Sequence, residues 1–211
     1  MKGEILKAMQ WRYATKKFNP DKIIEEELVN EILESLRLTA TSYGLQLMKV
    51  VVVEDKKVRE DLVRYSFGQN QVLDASHLLV LCREKEAKFE HIEGFINDIA
   101  EIRSTEIERL EGFKNMMTNS ILTKSEEWQE VWLINQVYIA LGNLLTTCAM
   151  LRVDACPMEG FLSDKYDEVL ELEQEGLSAV LVIPIGYRAD DDKYAKVKKV
   201  RRANERFIIK K

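Results

Sequence analysis

The stretch from Thr123 to Met150 restricts this chain more than any other part of it. Apolar residues fall on nearly every face of a helix drawn through it: Trp128, Val131, Trp132, Ile134, Val137, Leu141, Leu144 and Leu145. A helix that is apolar all round is buried, either at the centre of a fold or in a subunit interface. Thr123 and Glu126 have capping-box spacing, which predicts a start there, and the pattern runs past Met150 to about Val153. No run approaches the ~18 consecutive apolar residues of a membrane-spanning helix, so no membrane partner is expected. Met1 to Phe18 is polar and basic without an apolar centre, unlike a secretory leader. A cytoplasmic location is the expectation.

The other elements are set around that helix. Residues 3–10 read as a short helix, and residues 25–37 as another with Leu28, Ile32, Leu33 and Leu36 on one face. Met48–Glu54 holds four consecutive valines, the mark of a buried strand. Asp55–Tyr65 reads as helix, Leu78–Arg83 as a strand, and 86–117 as charged and mostly helical. Lys165–Glu173 reads as a short helix, Ser178–Tyr187 as a third strand and Arg206–Lys210 as a fourth. Few strands separated by long helical stretches give an α+β or α/β class. At 211 residues the chain is expected to be one domain.

Composition removes several functions. The net charge is −5, unfavourable for a general nucleic-acid binder. From Tyr187 to Lys211 there are ten Lys or Arg against four Asp or Glu, a local +6 on a body of −11. That segment is a local anion site or a solvated tail; as a nucleic-acid tail on Lys193–Arg206 it lacks an aromatic platform. Cys82, Cys148 and Cys156 are too few and too scattered for a disulfide framework or a zinc site. No G-x-G spacing occurs, so the dinucleotide fingerprint and the P-loop are absent. Any phosphorylated cofactor must be held by cations and helix ends. Of the two histidines, His77 precedes an apolar strand and reads as a packing or capping residue.

Three clusters remain. Arg12-Tyr13-Ala14-Thr15-Lys16-Lys17-Phe18 sets three cations within six residues. Thr41-Ser42-Tyr43-Gly44-Leu45-Gln46 is a polar loop with a glycine turn. In Ala155-Cys156-Pro157-Met158-Glu159-Gly160-Phe161 a Pro and a Gly bracket a segment that can aim a backbone amide at a ligand. Singly, each reads as a helix end, a connecting loop and a tight turn.

Together they resemble the nitroreductase family of FMN-dependent, NAD(P)H-using flavoproteins. Arg12, Lys16 and Phe18 match its opening Arg-x-Ser-x-Lys/Arg and the Phe that follows. Thr41, Ser42, Gly44 and Gln46 match a T-S-x-G-L-Q loop. Gly68-Gln69-Asn70-Gln71 leads to Asp74-Ala75-Ser76-His77, as in the family's Gln-rich turn. Pro157 to Phe161 matches Pro-x-Glu-Gly-Phe, Pro184 to Tyr187 matches Pro-x-Gly-Tyr, and Lys199-Val200-Arg201 matches a late Lys-x-Arg. Three departures stand out: Ala14 for Ser, Leu47-Met48 after Gln46, and Gly68 for Asn.

The resemblance implies a nitroreductase-like α+β sandwich: a mainly antiparallel four- to five-stranded sheet flanked by helices, in an intertwined homodimer. It implies one FMN-binding domain over 1–211, with a helical lid around 86–117 and a dimer-exchanged segment around 202–211. Arg12, Lys199 and Arg201 would hold the FMN phosphate, with Tyr13 and Ala14 beside them. Lys16 and Gln71 would meet the pyrimidine end, with Gln69 near, and Pro157, Met158, Glu159 and Gly160 would present backbone to N5. Thr41, Ser42, Tyr43, Gly44 and Gln46 would come from the other subunit. The implied activity is ping-pong hydride transfer from NADPH or NADH through FMN to nitroaromatic, quinone or similar small-molecule acceptors. No catalytic side chain and no metal are needed, because the cofactor carries the chemistry. The competing readings are a flavin, pterin or enone reductase on the same fold, and a non-catalytic flavin-binding dimer.

Overall fold

The computed structural model describes residues 3–211. Eight helices and four strands lie among them: α1 (Glu4–Trp11), α2 (Glu26–Arg37), β1 (Met48–Val53), α3 (Lys56–Arg64), α4 (Gln71–Asp74), β2 (His77–Glu84), α5 (Phe89–Arg103), α6 (Glu111–Ile121), α7 (Glu126–Met150), β3 (Asp154–Ala155), α8 (Ser163–Val169) and β4 (Leu177–Gly186). The strands form one sheet in the order β1-β2-β4-β3, and every ladder is antiparallel. The α+β sandwich expected from the sequence is the fold found.

The centres of β2 and β4 are buried on both faces, so Leu78–Cys82 and Ala179–Ile185 are apolar without a break. Their alternating side chains feed two cores. Leu78, Val80 and Cys82 face one side, with Leu62 of α3, Val72 of α4 and Tyr166 of α8. Leu79, Leu81, Leu181 and Ile183 face the other, against Ile32 and Leu36 of α2 and Val137, Leu144 and Cys148 of α7. A third cluster joins Leu45 and Leu47 to Ile92 and Ile96 of α5, Met117 and Ile121 of α6, and Leu133 of α7. All three cysteines are buried and free.

By length and composition α7 could cross a membrane, contrary to the expectation from the sequence. Its packing against α1, α2 and the sheet makes it a core helix of this fold. Its remaining face leaves Val131, Ile139 and Tyr138 exposed.

The boundaries differ from expectation at four places. The N-cap of α7 is Ser125, whose hydroxyl accepts from the Trp128 amide; Thr123 instead donates to Asn119 at the end of α6. The helix ends at Met150, because Arg152 takes φ 59° and turns the chain out. The short helix after it begins at Ser163 and ends at Val169, short of Glu173. Arg206–Lys210 is not a strand: the segment is exposed and pairs with no strand of its own chain, and the fourth strand is the two-residue β3.

Candidate functional site

α1 ends at Arg12, where the backbone becomes extended (φ −69°, ψ 145°), and residues 12–16 run along the C-terminal stretch 194–201. Between them lies a cleft of about 400 Å³, in the size range of small-molecule sites. Arg12, Lys16, Lys198, Lys199 and Arg201 line it, with the rings of Trp11, Tyr13 and Tyr194, and no acidic residue does. Among the described residues no carboxylate pairs with Arg12, Lys16, Lys199 or Arg201. Burial and the neighbouring Arg201 push the Arg12 guanidinium below its ordinary pKa. Burial, Arg12 and Arg201 do the same to Lys199. Cations that repel one another with no acid between them favour an anion in their midst.

The Lys199 ammonium donates to Met9 O (2.6 Å) and to Arg12 O. Those carbonyls close α1, where a cation also meets the negative end of the helix dipole. Lys199 therefore ties the C-terminal stretch to α1 while lining the cleft.

Beneath the cleft the charges are paired. Arg188 donates to buried Asp154 from Nε (2.9 and 3.0 Å) and Nη2 (2.5 Å). Its guanidinium also lies over the rings of Trp11 (4.3 Å) and Tyr13 (4.5 Å). Ala14 bridges to Ala155, so the Arg12–Lys16 segment runs beside β3. The departure Ala14 therefore sits on a backbone bridge and also lines the cleft.

The Pro157–Gly160 turn follows directly. Met158 N donates to Val182 O (2.8 Å), fixing the turn to β4. Gln69 Nε2 donates to Gly160 O (2.9 Å) and to Ser66 O (3.1 Å), so this amide is engaged with backbone. A Cβ at Gly160 would stand 3.2 Å from that nitrogen. Tyr138 Oη donates to Glu159 Oε1 (2.6 Å), and this bond, with burial, pushes the phenol up to about 12. Gln71 is buried in α4. Phe67 and Gly68 both have positive φ, so Gly68 occupies a left-handed position that suits glycine.

Thr41 to Gln46 does not reach the cleft within one chain. It lies on a different groove, against Phe95 of α5. Tyr43, Gly44 and Gln46 have positive φ. Gln136 of α7 accepts from Ser42 N (2.9 Å), and Gln46 Nε2 donates to Arg37 O (2.5 Å).

Sequence reasoning missed Asp154, Arg188 and Asp192, which support the cleft from behind its lining, and Arg59 beyond it. The available signal for Asp192 was the acidic run Asp190-Asp191-Asp192 inside an otherwise basic segment. Arg59, buried in α3, donates to the carbonyls of Val72, Leu73, Ala75 and Ser76, and so fixes the turn that carries Gln71.

A mostly antiparallel α+β sandwich with a cation-lined cleft at the C-terminal end of its first helix is the class defined so far. Residues 9–187 match the profile of the nitroreductase family, and the chain belongs to that family. A Staphylococcus epidermidis protein assigned as an NAD(P)H nitroreductase is 36 % identical over 219 residues, covering 99 % of this chain and 97 % of that protein. Among solved structures, a Bacillus subtilis nitroreductase superposes with a TM-score of 0.89 at 19 % identity, with 100 % of both chains covered. An Exiguobacterium sibiricum nitroreductase in complex with FMN gives 0.80 at 18 % identity, covering 99 % of this chain and 96 % of the other.

Proposed function

We propose that this chain is an FMN-dependent oxidoreductase that uses NAD(P)H to reduce small-molecule acceptors of nitroaromatic or quinone type. The observation that carries this reading is the cleft lined by Arg12, Lys16, Lys199 and Arg201, none of which pairs with a carboxylate among the described residues. A phosphomonoester of about −2 charge fits such a set through charge-assisted hydrogen bonds. FMN held there would supply the hydride-accepting and electron-donating chemistry between NAD(P)H and the acceptor.

The chain supplies binding and orientation. Arg12, Lys199 and Arg201 would hold the phosphate, and the anion would offset the burial and mutual repulsion that lower the pKa values of Arg12 and Lys199. Lys16 would meet the pyrimidine end, where a cation favours negative charge on the reduced ring. Gln71 would support that edge from α4, and the Met158–Gly160 backbone would face N5. Gln69 contributes by holding the Gly160 carbonyl. The Thr41–Gln46 loop completes the site of a second copy, which accounts for its place away from the cleft of its own chain. In that homodimer the exposed face of α7 and the 202–211 segment meet the partner, and the helices around 86–117 cover the substrate.

The test is an absorption spectrum of the purified protein, repeated after anaerobic NADPH and then NADH, followed by a nitroaromatic or quinone acceptor. An oxidised-flavin spectrum that bleaches with donor and returns with acceptor is expected. A protein that binds no added FMN refutes the reading.

A further inference from the structure

The cleft is built from two chain segments far apart in sequence, and one buried carboxylate joins them. Asp192 is 3 % exposed. Its Oδ2 accepts from Tyr13 Oη (2.8 Å), Lys16 N (3.0 Å) and Lys17 N (3.2 Å). Its Oδ1 accepts from Tyr194 N (2.9 Å), the start of the turn Lys193–Lys196 that leads to Lys199 and Arg201. All four donors are backbone amides or a phenol; none is a side-chain cation. The carboxylate thus orders the cation-bearing segments without neutralising any of them. Tyr13 lies between Arg12 and Lys16 and is held twice, through its hydroxyl by Asp192 and on its ring by Arg188.

Resting on the FMN reading above, we propose that Asp192 is the positioning residue of the phosphate site: it aims Arg12 and Lys16 from one segment, and Lys199 and Arg201 from the other, into a single anion receptor. Asp191, its neighbour, gives the contrast. It is exposed, and its side-chain partner among the described residues is the Lys17 ammonium in solvent, so it carries the same charge without the buried clamp.

The experiment titrates the full chain with FMN and with riboflavin, which lacks the phosphate, and reads the preference for FMN. General loosening of the fold weakens both ligands together; misaligned cations weaken FMN selectively. Asp192→Asn keeps the size but loses the charge and one acceptor oxygen. It is expected to lower the preference by about ten-fold, the loss of one to two hydrogen bonds' worth of alignment. Tyr13→Phe removes one of the four donors and is expected to lower it by about three-fold. It decides the matter alone if Asp192→Asn does not fold. Asp191→Asn is expected to leave the preference as it is. An unchanged preference in the folded Asp192 and Tyr13 variants, or an equal fall in Asp191→Asn, overturns the role of Asp192 while leaving the FMN reading intact. A wild-type chain that binds neither flavin refutes the FMN reading and the positioning role with it.

Discussion

Arg188 and Arg12 meet at the same helix end and are used in opposite ways. Arg188 is bound on all sides: Asp154 accepts from its edge, and Trp11 and Tyr13 cover its faces. Arg12, one residue past Trp11, is partly buried beside two further cations with no acid to answer it. Arg59 repeats the first pattern with four carbonyls in place of a carboxylate. The lesson is about where charge is satisfied by the fold and where it is left for a ligand. A fully satisfied arginine is part of the architecture, and an unsatisfied one beside like charges is a receptor.

The two groups should separate in stability and in affinity. Asp154→Ala leaves the Arg188 guanidinium partly buried without its carboxylate, at a cost of about 3–4 kcal/mol in urea unfolding. Arg12→Gln should cost almost nothing in the same assay, since it removes mutual repulsion with Arg201 and Lys199. Its effect should appear in FMN affinity, down about 30-fold for the loss of a charged hydrogen-bond donor. Should Arg12→Gln destabilise the protein as much as Asp154→Ala does, the division between architecture and receptor fails. A smaller effect concerns how Arg188 is delivered to its place. A Cβ on Gly186 would stand 2.9 Å from Ser76 N and 3.0 Å from the Phe18 ring, so the Pro-x-Gly-Tyr turn needs glycine for close approach. Gly186→Ala should therefore cost about 1–2 kcal/mol of overpacking strain, read as a fall in the urea midpoint.

The same division explains what the sequence made legible. α2, α3, β1, β2 and β4 lie within a few residues of expectation because their burial leaves a period of 3.6 or an unbroken β-branched run. β3 is two residues long and leaves no period to read. Ile208 and Ile209 have strand-forming side chains, but propensity alone cannot make a strand where no partner strand pairs. At the cleft, Arg12, Lys16, Lys199 and Arg201 were legible because their charges recur in an ordered set of landmarks. Asp154 and Asp192 were not, because a carboxylate's partners across more than 30 residues of chain are a product of tertiary structure. Gln69 lies on a legible landmark, but its bonds to the Gly160 and Ser66 carbonyls join distant parts of the chain and leave no mark in the sequence.

The smallest expected effect is also the most selective probe of the clamp. Burial alone would raise the Asp192 pKa, but hydrogen bonds from Tyr194 N, Tyr13 Oη, Lys16 N and Lys17 N outweigh it and hold the carboxyl below its ordinary value. An unfolded Asp titrates at about 3.9. Below that pH the unfolded chain takes up a proton that native Asp192 still refuses, so acid favours unfolding. The contribution of Asp192 is therefore fully present above about pH 4 and is lost as the pH falls through the native value. Unfolding free energies measured between about pH 3 and 6 should show a shallower acid-side slope in Asp192→Asn than in the wild type. The exposed Asp191 pairs with Lys17 in solvent, where screening weakens the bond, so Asp191→Asn should change that slope less. Equal slopes in the wild type and Asp192→Asn would mean that the carboxylate gains nothing from its four donors, and the cations of the cleft would then owe their convergence to Arg188 and Lys199 alone.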